Sequence, residues 1–156
     1  AIGPLAGEDV RATYTFPSGV VGHFASRKGL GGNPSRFAVQ VYGSKGIIEM
    51  ESGYLAKAHI LRDSSWSPAR SGKSWEPITS AGIGKPEPRT DGSYEGGHLA
   101  AINDLLESAR NDRPTKCSAE DARAIIEMIA AVFESHRLGS EVTLPLKTRV
   151  NPLTLL

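Results

Sequence analysis

Residues 10 to 16 alternate, with Val10, Ala12, Tyr14 and Phe16 pointing one way and Arg11, Thr13 and Thr15 the other. A period of two marks a half-buried antiparallel strand, because successive side chains of extended backbone face opposite sides. Pro17-Ser18-Gly19 supplies a turn, so residues 20–26 are expected to return as the second strand of a hairpin. Residues 27–33 hold too much glycine for regular structure. Alternation resumes over 36–42 with Phe37, Val39 and Val41 on one face, then breaks at Gly43-Ser44-Lys45-Gly46. Further strands are predicted over 46–51 and 55–62, which makes 8–62 a meander.

The pattern changes at Asp63. Ser, Pro, Gly and Arg dominate 63–93, where one short strand near 73–79 is expected, and both tryptophans, Trp66 and Trp75, fall there. Two readings stand for so long an irregular stretch: a functional excursion, or a surface loop pinned by its tryptophans.

From Tyr94 the apolar period lengthens to that of a helix. Leu99, Ile102, Leu105, Leu106 and Ala109 line one side of a helix predicted over 94–110, which Asn111-Asp112-Arg113-Pro114 ends. Ser118-Ala119-Glu120-Asp121 opens a second helix as a capping box in which Asp replaces the usual Glu. Ala122, Ile125, Ile126, Ile129, Ala130 and Phe133 form its apolar face. Gly139 is placed to close it in the left-handed conformation, with His136 and Arg137 near the negative end of its dipole. Residues 141–146 read as a last strand returning to the sheet, so 94–146 is helix, helix, strand.

Strands first and helices after imply an α+β domain. The expected architecture is a mostly antiparallel open sheet of about six strands, with two C-terminal helices packed on one face. The other face is left available for dimerisation. Thr13, Thr15, Gln40 and Lys57 would suit such an open face, while Val21, Ala25, Ile48 and Met50 would leave it partly apolar and in want of a partner.

The 156 residues suffice for a single domain with one core. Eighteen basic and 17 acidic residues spread along the chain leave a formal charge of +1. Charge therefore gives no reason to expect nucleic acid or a membrane as partner. No apolar run reaches the ~18–20 residues of a membrane span. A cytoplasmic location is expected, although the chain begins Ala1-Ile2-Gly3-Pro4 without methionine and an export signal could lie upstream.

Catalytic patterns are sparse. A lone Cys117 excludes an intrachain disulfide and multi-thiolate zinc, and reads as a structural or incidental thiol. His23, His59, His98 and His136 lack metal-ligand spacing. Gly29, Gly31 and Gly32 precede Asn33-Pro34 rather than a helix, so they make no dinucleotide cradle. His98 begins a helix after a glycine pair, near Tyr94, where an imidazole could stand at the edge of a cleft. Arg27, Lys28 and Arg36 bracket the glycine loop and either hold hydroxyls or a carboxylate, or merely solvate the loop. None of this identifies a reaction.

Several segments in order carry a resemblance. EDVRATYTFPSGVVGHFAS, FAVQVYGSKGIIEM and HLAAINDLLESARNDRPTKCSAEDARAIIEMIAAVFESHRLGSEVTLPL together resemble the C-terminal domain of the glucose–fructose oxidoreductase / inositol dehydrogenase (Gfo/Idh/MocA) family, across residues 8 to 146. In that family a Rossmann domain binds NAD or NADP, and this sheet domain shapes the substrate pocket and the oligomer interface. Hydride passes between the nicotinamide and a sugar or cyclitol carbon. The family's Glu-Lys-Pro motif belongs to the first domain, and Lys85-Pro86-Glu87-Pro88 has those residue types in another order. Its Asp-x-x-x-His pair would precede the hairpin, and residues 1–9 contain none.

The resemblance therefore implies the substrate-binding and oligomerisation part of an NAD(P)-dependent oxidoreductase, with no Rossmann domain, no cofactor site and no turnover of its own. Its expected partners are that missing domain, a sugar-like small molecule and a second copy across the open sheet face. It puts Arg27, Lys28, Tyr94 and His98 on the substrate side, and makes Trp66 and Trp75 sugar-stacking or interface residues. The alternative is a non-catalytic binding or assembly module sharing the fold. A hydrolase built on His98 with Glu95 or Asp104 lacks both nucleophile and oxyanion hole.

Overall fold

The structure is a computed structural model that describes residues 8–28, 38–51, 53 and 55–155. In chain order its elements are β1 (Asp9–Thr15), β2 (Val21–Arg27), β3 (Ala38–Gly43), β4 (Gly46–Glu51), β5 (Ala58–Leu61), α1 (Pro68–Ser71), β6 (Trp75–Thr79), β7 (Gly82–Ile83), α2 (Tyr94–Asn111) and α3 (Ala119–Leu138), then a 3-10 turn at Pro152–Thr154. They divide into two compact units, residues 1–30 with 114–156 and residues 31–113.

In the first unit β1 and β2 form an antiparallel hairpin with Thr15 opposite Val21 and Asp9 opposite Arg27. Its turn closes through Gly19 N–H to the Phe16 carbonyl, 2.8 Å, and Gly19 takes φ +83°, which glycine adopts without steric cost. Val10, Ala12 and Tyr14 are half-buried while their neighbours face solvent, as the alternation predicts. The Tyr14 hydroxyl donates to the Met128 carbonyl of α3 at 3.2 Å, which ties the hairpin to the helix.

α3 opens with the capping box read from the sequence: Ser118 Oγ accepts from Asp121 N–H, and Asp121 Oδ2 accepts from Ser118 N–H at 2.9 Å. It closes at Gly139, φ +62°. Residues 141–146, expected as a last strand, form no strand. Pro145 has no N–H to give a ladder, and the N–H of Leu146 goes instead to Glu127 Oε1 at 2.8 Å. Glu127 also accepts from Arg149 at 2.9 Å and Arg123 at 3.2 Å, so a helix side chain holds the C-terminal segment where a strand partner was expected. A cavity of about 700 Å³ remains between α3 and that segment, lined by Ile126, Phe133, Val150 and Leu153 among others.

The second unit contains a five-stranded antiparallel meander in the order β3-β4-β5-β6-β7. A two-residue turn at Ser44-Lys45 sets Gly43 opposite Gly46 and so fixes the register. Directly opposed residues share a face. One face therefore carries the rows Val41–Ile48–Ile60–Glu76 and Val39–Met50–Ala58–Ile78, and the other Tyr42–Ile47–Leu61–Trp75 and Gln40–Glu49–His59–Pro77. This corrects the expected open face: Gln40 lies opposite to Ile48 and Met50, not beside them, because Gln40 pairs with Glu49. Ile47 and Leu61 are buried, whereas Val39, Val41, Ile48 and Met50 are 40–56% exposed.

The class is α+β, with open antiparallel sheets of five and two strands rather than one of about six. The stripes of the two helices fall where the 3.6 period puts them. They are not covered, however: Leu99, Ile102, Leu105 and Leu106 of α2 and Ile125, Ile126 and Ile129 of α3 are each about half exposed or more. Periodicity writes an apolar stripe on a helix but does not choose what packs against it. Residues 63–93 are more ordered than the composition suggests, since they contain α1, β6 and β7. Among the described residues no helix is long and apolar enough to cross a membrane.

Candidate functional site

One buried carboxylate organises the loop that follows β5. Asp63 Oδ1 accepts from the Ser65 hydroxyl at 2.6 Å and the Ser65 N–H at 2.9 Å. Asp63 Oδ2 accepts from the Ser71 hydroxyl at 2.6 Å and the Ser67 N–H at 3.1 Å. These donors, the Ser65 hydroxyl foremost, lower its pKa from 3.8 to about 2. A carboxyl depressed in the folded state adds stability that is complete above its unfolded pKa and is lost as pH falls through the folded one. Asp63→Asn is accordingly expected to lower the urea midpoint at neutral pH, and the gap from the parent protein should narrow between about pH 4 and pH 2. A gap that stays constant over that window would show that Asp63 does not organise the loop through its charge.

The same loop sets Trp66 at φ +53°, in the left-handed region that bulky residues rarely occupy. Its backbone N–H reaches the Asp63 carbonyl at 3.1 Å, and its indole Nε1 donates to the Gly43 carbonyl at 2.9 Å. The ring meets Tyr42 edge to face, with centroids 5.4 Å apart. From there the Tyr42 hydroxyl donates to Gln40 Oε1 at 2.9 Å, and Gln40 Nε2 donates to Glu49 Oε2 at 3.2 Å. Trp75 sits at the other end of the row that begins with Tyr42, with Ile47 and Leu61 between them.

At the start of α2, Ser93 Oγ accepts from Gly96 N–H at 3.0 Å and donates to Asp91 Oδ1 at 2.6 Å. Those bonds from Ser93 hold the Asp91 carboxyl below its ordinary pKa. A Cβ at position 96 would run into that carboxylate, so any larger residue there would have to displace the Asp91 side chain. One helical turn apart, Tyr94 and His98 form an edge-to-face pair with centroids 4.1 Å apart.

Arg27 and Lys28 stand at the open end of the hairpin. Arg27 Nε is 4.0 Å from Asp9 Oδ2, and Lys28 Nζ is 3.1 Å from Glu8 Oε1, all on the solvent side. Exposed pairs of this kind contribute about 0–1 kcal/mol and exchange readily for other anions or hydroxyls. Arg27 and Lys28 thus belong to the first unit, and Tyr94 and His98 to the second. Arg36 lies outside the described residues. Tyr42 and Glu49 are not among the candidates expected from the sequence, where Gln40 suits an open sheet face. The signal was present, since a two-residue turn at 44–45 sets Gln40 opposite Glu49 with Tyr42 on the same face.

The helix starts do not fit a dinucleotide. A pyrophosphate needs free N–H groups at a helix start reached through a glycine turn from a strand. The first turn of α2 is already capped by Ser93, with the Asp91 carboxylate beside it, and that of α3 is capped by Ser118 and Asp121. An anion would meet like charge at both. Among the described residues no group of three or more His, Cys, Asp and Glu is placed to hold a metal ion.

Compared with known proteins, residues 4–144 match the model of an oxidoreductase family, described as its C-terminal alpha/beta domain. No curated protein and no solved structure matches the chain.

Proposed function

Because the chain belongs to the Gfo/Idh/MocA oxidoreductase family as its C-terminal domain, we propose that it is the substrate-binding and oligomerisation part of an NAD(P)-dependent enzyme acting on a sugar or cyclitol. The family match over 4–144 carries this reading. Hydride transfer and the NAD or NADP site then belong to a partner Rossmann domain, and this chain neither binds the cofactor nor turns over substrate by itself. The poor fit of both long helix starts to a pyrophosphate supports that division. Tyr94 and His98 line the substrate side, with the ring pair offering an apolar face and polar edges to a polyol. Arg27 and Lys28, in the other unit, are substrate-side residues in this reading because their weak surface ion pairs exchange readily for hydroxyls. The exposed strip of Val39, Val41, Ile48 and Met50 supports a dimer through the sheet.

Calorimetric titration of the chain with NAD(H) and NADP(H) is expected to show no binding; micromolar affinity would put the cofactor site in this domain and overturn the reading. In the enzyme that includes the Rossmann domain, Tyr94→Ala and His98→Ala should each raise the KM for sugar by about tenfold with a smaller change in kcat. An unchanged KM in both removes the pair from the substrate side. A chain that stays monomeric by light scattering at high concentration counts against the dimer.

A further inference from the structure

The C-terminal segment of the first unit is held along α3 without closing on it. Leu146 and Pro152 are buried, and Glu127 ties the segment down by accepting from the Leu146 N–H at 2.8 Å and from Arg149 at 2.9 Å. A cavity of about 700 Å³ nevertheless stays between helix and segment, whereas folded proteins keep few voids larger than a water molecule. We infer that this cavity is a binding site for a free medium-chain carboxylate, an unbranched acid of about ten to twelve carbons, with its head at Arg123 and Arg149 and its tail towards Phe133.

Three observations carry this. The first is the division of the lining. Ile126, Ile129, Phe133, Leu146, Val150 and Leu153 give apolar walls. The ionised groups meet at one place, where Glu127 accepts from Arg149 and, at 3.2 Å, from Arg123. Two guanidiniums against one carboxylate leave one positive charge there, which a single anion neutralises. A charge beside apolar walls is complementary to an amphiphile of the opposite sign.

The second is spare donor capacity. Each guanidinium carries five N–H groups, and among the described residues each gives one of them to Glu127. The others are left to take a second carboxylate beside the first. Both side chains are mostly exposed, so the head site is reached from solvent.

The third is length. Arg123 and Phe133 are ten positions apart on α3, about 15 Å along its axis, which is the reach of an extended chain of about ten to twelve carbons. Ile126, Ile129 and Val150 are each half exposed or more, so an alkyl chain laid there removes apolar surface from water on the helix and on the segment alike. The head lies a turn or more beyond the capped start of α3 and does not use the helix N-terminus. This inference goes beyond the proposed function and requires neither the cofactor nor the partner domain.

The test is a titration of the full chain with its isoleucine methyls labelled with carbon-13. Sodium decanoate, added up to about 1 mM, is the probe. Decyltrimethylammonium carries the same tail with the opposite charge, and hexanoate the same head with a shorter tail. Saturable shifts of the Ile126 and Ile129 signals with decanoate are expected, with a Kd below about 0.5 mM, while Ile48 and Ile60 of the five-stranded sheet stay in place. The two comparison probes should each bind at least about tenfold more weakly. Arg149→Gln and Ile126→Glu change exposed side chains. The first should weaken decanoate binding about fivefold. The second, followed at Ile129, should weaken it about tenfold or more, because it puts a carboxylate in the path of the tail.

No saturable shift with decanoate overturns the inference. So do equal shifts at Ile48 and Ile60, which would mark an amphiphile adsorbed on any apolar surface, and equal affinity for either comparison probe. Undiminished affinity in either variant overturns it too. Signals that follow protein concentration instead of decanoate would make the cavity a contact between copies, with the same consequence.

Discussion

Gly46→Ala is expected to destabilise the five-stranded sheet by about 3 kcal/mol or more. Gly46 takes φ +149°, and a Cβ there would run into the carbonyl oxygen of Leu61 on the neighbouring strand. Two costs coincide. The backbone conformation is one that L residues rarely adopt, and the obstructing atom belongs to backbone, which cannot swing aside like a long side chain. The only relief is to push the end of β5 away, and with it the loop that carries Asp63 and Trp66. Gly43 is the control, because it faces Gly46 across the same turn but its added Cβ would meet only ordinary contact with the Gly46 carbonyl. Gly43→Ala should therefore change stability by less than about 1 kcal/mol. Urea unfolding of the three proteins, followed by circular dichroism, decides the matter. Equal losses in both variants would show that close approach at Gly46 is not what matters.

Leu61→Ala is expected to cost about 3 kcal/mol, within the usual range for emptying a filled leucine site. Leu61 is the one large side chain among the described residues with no exposed surface, and it lies between Ile47 and Trp75 in a cross-strand row. The core around it is small, so little else offsets the loss. Leu61→Met keeps most of the volume and should recover all but about 1 kcal/mol. The Trp75 indole reports on the same event, since it is Leu61's partner on the next strand. A midpoint for Leu61→Ala within error of the parent protein would mean that this row is not the core of the unit.

Strands β1 to β6 and helices α2 and α3 were legible because each carries a local signal, whereas α1 and β7 were not expected. Val10, Ala12 and Tyr14 alternate, Leu99 to Leu106 recur at helical spacing, and Ser118 with Asp121 forms the cap that its residue types predict. The last strand was misread because β-branched and apolar residues at 141–146 suit a strand as well as an extended segment. What decided against it is Glu127, nineteen positions away from Leu146 and bonded to its N–H. Of the candidate site, Tyr94 and His98 could be paired in advance, since positions four apart on a helix are neighbours. The chain from Trp66 to Glu49 was overlooked although half of it follows from the turn at 44–45. Its other half needs the Asp63 loop, whose fold depends on four hydrogen bonds from three serines.

By itself the sequence determined the α+β class, the strand register wherever a short turn joins two strands, both caps of α3, and the family resemblance over most of the chain. Each of these rests on residues close together in sequence, or on their linear order, where backbone geometry leaves few choices. Only the tertiary structure decided which sheet face is apolar, where residues 141–146 bond, why Gly46 must be glycine, and how Trp66 comes to lie beside Tyr42. Those depend on contacts between segments far apart in the chain, whose free energies come from packing and shared hydrogen bonds rather than from local propensity.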